Sequence, residues 1–292
     1  ARYTGQMYKG IAIPTSVLEA RAITTSNVNE VETMSFTDQL QANLVLASAG
    51  ANFYSGVKNM KFPVISGITT TFVGETGGSV SAAGSASSLT LSPQKCISIV
   101  EISAEAMTQN AGIEAAIRRN MAASVAAQLE KNLLGAADNS DGGPQSIFAD
   151  AADGGATLDA AALLAMESTV LGNNVPLLGG RFAYLCNSDA LAVIKGLAQV
   201  ASVSPIYDNR DKTINSYFSF VSSNVGNKTS NFDNVLFGDF SRVHIAQFGG
   251  LDVLFDPYTS AASGVGRMIA TSLVDGNAVD NGTAFVEIQT TS

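Results

Sequence analysis

Apolar residues follow two different periods along this chain, and the switch between them marks out its parts. Phe62, Val64, Ile68, Thr70 and Phe72 fall at even spacing, the period of a strand. The segment from Gly74 to Ala86 that follows is rich in glycine and serine. A second extended run covers Leu89 to Leu91 and Lys95 to Ile102. Together these predict a long hairpin with a flexible end. Each limb of about a dozen residues reaches ~40 Å at ~3.3 Å per residue. An isolated two-stranded hairpin is marginal in water. One this long implies a surface to lie on, and nothing requires that surface to belong to the same chain.

Beyond the hairpin the period becomes helical. Ile113, Ile117, Met121, Val125, Leu129 and Leu133 recur at every fourth position with alanine between them, an amphipathic stripe. Asn110 serves as a cap and Gly135 as a stop. The result is a helix of about 22 residues and ~33 Å, a strut rather than a surface helix. Arg118, Arg119, Glu130 and Lys131 fall off the stripe. Asp138 to Pro144 reads as a turn segment. Thr157 then caps a second helix, Leu158 to Leu171, ended by Gly172. Arg181 to Cys186 is a buried-type strand, and Asn187 or Ser188 caps a third helix to Leu197. Strand-like runs follow at Tyr217 to Ser222, Val235 to Gly238, Arg242 to Phe248, Leu251 to Phe255, Arg267 to Val274 and Thr283 to Gln289. Helices and strands mix without a strict βαβ rhythm, so the class is α+β.

The first 60 residues read differently. They are polar and rich in Thr and Asn, with one helical stretch from Met34 to Ala47, and otherwise form an extended arm. An arm alone cannot bury enough apolar surface to offset its ordering entropy. The 292 residues as a whole are 46% hydrophobic and only 14% charged, which is ample for a core. Sixteen basic residues against 25 acidic ones give a net charge of -9. A protein that grips phosphates by counterion release needs the opposite balance, but a container wall that must not adhere to DNA does not. Cys96 and Cys186 each sit in an apolar segment and read as buried, reduced thiols. No apolar run approaches the ~18 residues of a membrane span. The N-terminus lacks the apolar core of a signal peptide. It also lacks an initiator Met, which Met removal before Ala1 or cleavage of a longer precursor would explain.

Candidate chemistry is sparse. His244 is the only histidine, in the strand Arg242 to Ala246, with Asp239 and Ser241 nearby in sequence. No serine lies in a G-x-S-x-G elbow, so His244 reads as structural. The acidic turn Asp138 to Gly142 lacks the later ligands of a calcium loop, and Gly74 to Gly84 lacks the Lys-Ser/Thr of a phosphate loop. Asp208/Asp211 and Asp252/Asp256 sit in polar turns and read as surface charge, not as a glycosidase pair. The sequence carries no catalytic, cofactor or metal site.

The order of parts, with local motifs, resembles the Hong Kong 97-type major capsid proteins of tailed bacteriophages. Phe72-Val73-Gly74-Glu75 is similar to that family's hairpin motif in the limb called the E-loop. Leu91 to Lys95 and Val100 to Glu105 resemble its return limb and entry to a spine helix. Asn132 to Gly135 and Gly142 to Pro144 resemble the spine's exit, Arg181 to Asp189 a strand-to-helix step of the axial domain, and Val235 to Phe240 the strand returning to the peripheral domain. The resemblance implies an N-terminal arm over 1–60, an E-loop over 61–100, a peripheral domain with its spine helix over 101–155, an axial domain over 156–236 and a peripheral return over 237–292. It also implies inter-subunit contacts at Phe72, Gly74, Glu75, Gly77 and Gly78, and spine-helix roles for Arg118, Arg119 and Glu130. Some family members join subunits by an isopeptide bond between an E-loop Lys and a peripheral Asn. Here no Lys lies between Lys61 and Lys95, and no Asn lies near Val265 to Arg267, so no such bond is expected.

The function so implied is a non-enzymatic protein that self-assembles into hexamers and pentamers of an icosahedral head around double-stranded DNA. Its partners are then copies of itself, portal and scaffolding proteins, a cement or decoration protein, and DNA contacted non-specifically. It would be assembled in the bacterial cytoplasm and end in the virion, with no membrane partner. The alternatives are an encapsulin-like nanocompartment shell, a hydrolase using His244 as base, and an acidic surface-layer or decoration protein.

Overall fold

The computed structural model describes residues 44–56, 58–66, 72, 73, 75, 77, 84–103, 113–137, 142–176, 179–200, 204–226 and 233–290. The cap expected at Asn110, most of the Met34 to Ala47 stretch and the turn at 138–141 lie outside them. In chain order, helix α1 (Val45–Ala49) leads to strands β1 (Asn52–Ser55), β2 (Met60–Ser66), β3 (Ser85–Leu91) and β4 (Gln94–Ser103). The long helix α2 (Ile113–Leu133) is followed by β5 (Ala152–Asp153), α3 (Ala160–Gly172), β6 (Phe182–Cys186) and α4 (Ser188–Gly196). Then come β7 (Ala198–Val200), β8 (Ser204–Pro205), β9 (Tyr207–Asp208), β10 (Thr213–Ile214), β11 (Tyr217–Val221) and β12 (Asn234–Asp239). The last described elements are β13 (Val243–Gln247), β14 (Asp252–Asp256), β15 (Val265–Ala278), α5 (Asn281–Ala284) and β16 (Phe285–Gln289).

The first sheet is built around β15. Val274 faces both Gln247 of β13 and Gln94 of β4, and Arg267 to Thr271 face both β14 and β4. So β4 takes one edge of β15, while β13 and β14 share the other. β1 joins parallel to β13, with Asn52 opposite His244. Strand alternation sends Cys96, Ser98, Val100 and Ile102 of β4 inward and leaves Ile97, Ile99 and Glu101 outward. Helix α2 covers the inward face. Ile102, Met121, Met268 and Ala270 form a small core there, with Ile117, Val100 and Val253 at its margin.

The second sheet runs β5-β16-β12-β6-β11-β10-β9. Its middle strand β12 is buried throughout, and the expected buried strand after Arg181 is β6. Helix α3 packs against β12 and β16 and α1 against β11. The second half of α2 delivers Val125, Leu129 and Leu133 to the same core. Each such burial contributes roughly 1.5–3 kcal/mol. The expected stripe is therefore real, but it serves two cores in succession. Carbonyls at the end of α2 and just beyond it find partners. Leu133 O accepts from Ile147 N at 2.7 Å, Leu134 O from Gly226 N at 2.8 Å and Gly135 O from Ser146 Oγ at 2.5 Å.

Three expectations change, and the choice between two caps is decided. The second helix starts at Ala160 with Asp159, not Thr157, as its cap, accepting from Ala162 N at 2.7 Å. The third is capped by Asn187, which accepts from Ala190 N at 2.8 Å. The return limb of the hairpin ends at Leu91: β2 and β3 pair from Met60↔Leu91 to Ser66↔Ser85, and after Ser92-Pro93 the chain enters β4, which pairs with β15 instead. Finally, the end of the segment read as an N-terminal arm, including the last residues of its helical stretch, is packed in. Leu44, Leu46, Ala49 and Ala51 belong to the large core.

Candidate functional site

The hairpin root rests on one face of the first sheet. Phe62 of β2 stacks on the His244 ring with centroids 4.3 Å apart and 19° between planes. The Tyr54 hydroxyl lies 3.2 Å from His244 Nδ1. On the other limb Leu91 is buried, and Ser92 N donates to Asp275 Oδ2 at 2.8 Å. Away from the root, burial ends. Ile65 is 70% exposed and Phe72 fully so, at 108%. Glu75 and Gly77 are also exposed. Gly74 and Gly78 lie outside the described residues. The hairpin thus carries an unburied aromatic ring.

A second apolar surface lies on the outward face of the first sheet. Leu254, Ile269 and Ile99 stand in one cross-strand row. Leu254 is 60% and Ile99 56% exposed, with Ile97 one step along β4 at 48%. The row is flanked by an ion pair, Arg267 Nη2 to Glu101 Oε1 at 2.7 Å. The sequence carried a signal for this face, because β4 is apolar at both parities, with Ile97 and Ile99 on one and Cys96, Val100 and Ile102 on the other.

The helix residues singled out in the sequence do not form a cluster. Arg118 is exposed and pairs with Glu114 one turn back at 2.7 Å, and Arg119 is exposed. Glu130 corrects its expected position off the stripe: it is only 3% exposed. Its carboxylate accepts from Val45 N at 3.2 Å and from the Ser222 hydroxyl. It joins α2 to the start of α1 and to the residue that follows β11.

Among the described residues no nucleophile is assembled with His244. Ser241 Oγ donates to Asp239 Oδ1 at 2.7 Å, and the same oxygen accepts from Arg181 N at 2.7 Å. The imidazole meets Tyr54 and Phe62 instead, and burial holds its proton affinity below the ordinary value. Both thiols are free; burial pushes Cys186 up to about 12 and Cys96 upward as well. A groove of about 230 Å³ between α2 and β4 is lined by Gln94, Lys95, Cys96, Gln128, Asn132 and Pro144 among others. In a second, near Pro205, Glu167 already accepts from Tyr184 Oη at 2.5 Å and Asn215 Nδ2 at 2.9 Å. Among the described residues no three His, Cys, Asp or Glu side chains are grouped to hold a metal ion, and no helix is long and apolar enough to cross a membrane.

The phage capsid family's model matches residues 28–289. No curated protein matches the sequence significantly. Solved structures do. The capsid of an empty GTA particle is similar at 16% identity with a TM-score of 0.64, covering 86% of this chain and 90% of that one. A chain from Mycobacterium phage Bobi matches at 14% identity and TM-score 0.66, over 85% and 91%. One from Microbacterium phage Oxtober96 matches at 13% and 0.63, over 98% and 95%. At such identities the likeness is one of fold.

Proposed function

Because the chain belongs to the phage capsid family, whose members are structural shell proteins, we propose that it assembles as hexamers and pentamers into the icosahedral head enclosing the double-stranded DNA of a tailed phage. The fold is of the Hong Kong 97 type. The observation that carries the assembly reading is the unburied apolar surface on two separate features, the hairpin with Phe72 and the sheet face with Leu254 and Ile99. A monomer gains nothing from either, whereas an interface burying more than ~2,000 Å² in total uses both. In this reading the hairpin lies over a neighbouring subunit, with Phe72, Glu75 and the glycines Gly74, Gly77 and Gly78 at the contact. The arm reaches another subunit, and α2 stays rigid as a strut. Residues 101–155 and 237–292 form the peripheral domain and 156–236 the axial domain.

The shell is held without an isopeptide mesh, since the hairpin has no lysine between Lys61 and Lys95 and Val265 to Arg267 provide no asparagine. Non-covalent contacts, or a separate cement protein, take its place. Portal and scaffolding proteins complete the partners. The net charge of -9 keeps packaged DNA from adhering to the wall. Negative-stain microscopy tests the reading. The purified full chain gives icosahedral particles, and the same chain lacking residues 66–90 stays folded and soluble without closing shells. Closed shells from the shortened chain would overturn the role of the hairpin.

A further inference from the structure

The hairpin is joined to the body at two points of different chemistry. Cross-strand register places Asn52, His244 and Asn277 in one row and Tyr54, Ala246 and Asp275 in the next, on one face of the first sheet. The first limb seats Phe62 on His244. The second seats Leu91 in the protein and Ser92 N on Asp275. We propose that His244 is a pH-responsive latch that holds the first limb of the hairpin on the body and releases it on acidification, leaving the second limb as the pivot.

The physical case rests on what surrounds the ring. β1 presents Tyr54, whose hydroxyl lies 3.2 Å from Nδ1. In a neutral imidazole that nitrogen can accept the hydroxyl proton; once protonated it can only donate, and the hydroxyl must turn round. β2 presents the uncharged face of Phe62, 4.3 Å away. β15 presents Asn277 opposite and Asp275 on the diagonal, and the Asp275 carboxylate already accepts from Ser92 N and Gly276 N, both at 2.8 Å. Arg242, two residues before His244, is engaged by Asp280 at 2.7 Å and Asp239 at 3.8 Å. Among the described residues no carboxylate bonds the ring, so a charge arriving there is half-buried and uncompensated.

The sign follows. Burial depresses the proton affinity of His244 in the folded state. The stability it contributes is present above the ordinary histidine value of about 6.5 and is lost as pH falls through the folded value. Asp275 moves the other way: burial raises its proton affinity, so acid relieves that site and the second limb is not undone with the first. The latch is a property of the subunit. Only its consequence for assembly, a hairpin whose reach varies with pH, rests on the shell reading above.

With one histidine in the chain, its side-chain NMR signal reports a single titration in the unassembled full-length subunit. Hydrogen exchange of Met60 to Ser66, scaled to the intrinsic rate at each pH, is measured alongside. The expected result is loss of protection at 60–66 with a midpoint that tracks the His244 titration. His244→Phe keeps the stack, cannot titrate and retains protection through the same range. Identical pH profiles in the two proteins, or a midpoint unrelated to the histidine, would sink the latch. If His244→Phe does not fold, Phe62→Leu decides. It should raise the His244 titration toward the ordinary value and lower protection at neutral pH, and no change in either overturns the proposal. None of these readings requires that shells form.

Discussion

Replacing Glu130 tests whether one carboxylate ties together three distant parts of the chain. Helix α1 begins after Leu44, which has no side-chain oxygen to cap it, and Glu130 Oε2 takes the Val45 N–H instead, from 85 positions away. Its other oxygen takes the Ser222 hydroxyl. Hydrogen bonds to a charged acceptor are worth roughly 1.5–3 kcal/mol each. Glu130→Ala removes two of them from a site that is 3% exposed and leaves both donors facing a cavity. A loss of about 3–5 kcal/mol is expected, against a total stability of roughly 5–15 kcal/mol for a typical domain. Glu130→Gln keeps the shape. Its amide oxygen can still accept from Val45 and its amide nitrogen can donate to a reversed Ser222 hydroxyl, so both bonds survive as neutral ones and the loss is about 1–2 kcal/mol. Urea unfolding of the unassembled subunit at neutral pH measures both. A Glu130→Ala variant within ~1 kcal/mol of wild type, or a Gln variant no better than Ala, refutes the reasoning.

Two further outcomes follow from the second sheet. Glu287 of β16 sits opposite Asp153 of β5, and burial, with Asp153 adding to it, pushes its carboxyl up to about 7. The raised value means stability present at pH 4.5 and lost as pH rises through 7. Glu287→Gln should flatten that dependence and add ~1 kcal/mol at pH 8 after allowance for solvent screening, as read by denaturant midpoints at several pH values; an unchanged pH profile would count against it. Gly238 of β12 lies where a Cβ would meet the Ala284 carbonyl and the Phe285 ring. Gly238→Ala should lower stability by about 1–3 kcal/mol, seen as a drop in the thermal midpoint, and a midpoint equal to wild type would show that the strands can part.

What the sequence made legible was whatever depends on local period and local caps. The i, i+4 stripe from Ile117 to Leu133 located α2, and the apolar run before Asn187 located both β6 and the cap of α4. One misreading was local, and the other two were decided by a partner far along the chain. Thr157 and Asp159 are both good caps, and the choice fell to Asp159 because Leu158 is buried and the helix starts beyond it. Strand period placed Lys95 to Ile102 in an extended segment without revealing its partner, which is β15 and not β2. Glu130 read as lying off the stripe because the groups that require it, Val45 and Ser222, are invisible from within the helix.

The same reasoning separates the surfaces that carry assembly from those that are merely exposed. Scattered apolar residues on a surface need no explanation. Leu254, Ile269 and Ile99 are not scattered: they form one cross-strand row on a sheet whose other face packs against α2 around Met268 and Ala270. Phe72 is not scattered either, because the hairpin that carries it meets the body at its root, with Phe62 on His244 and Leu91 and Ser92 beside Asp275. A paired ladder of seven residues a side is marginal on its own, so on the proposed shell reading a neighbouring subunit would give the hairpin a defined position beyond its root. The expected inverse therefore also holds: substitutions at Ile99, Leu254 or Phe72 should leave the subunit's own unfolding midpoint within ~0.5 kcal/mol of wild type while changing what it assembles into. A large loss of subunit stability from any of the three would place that residue in the core instead.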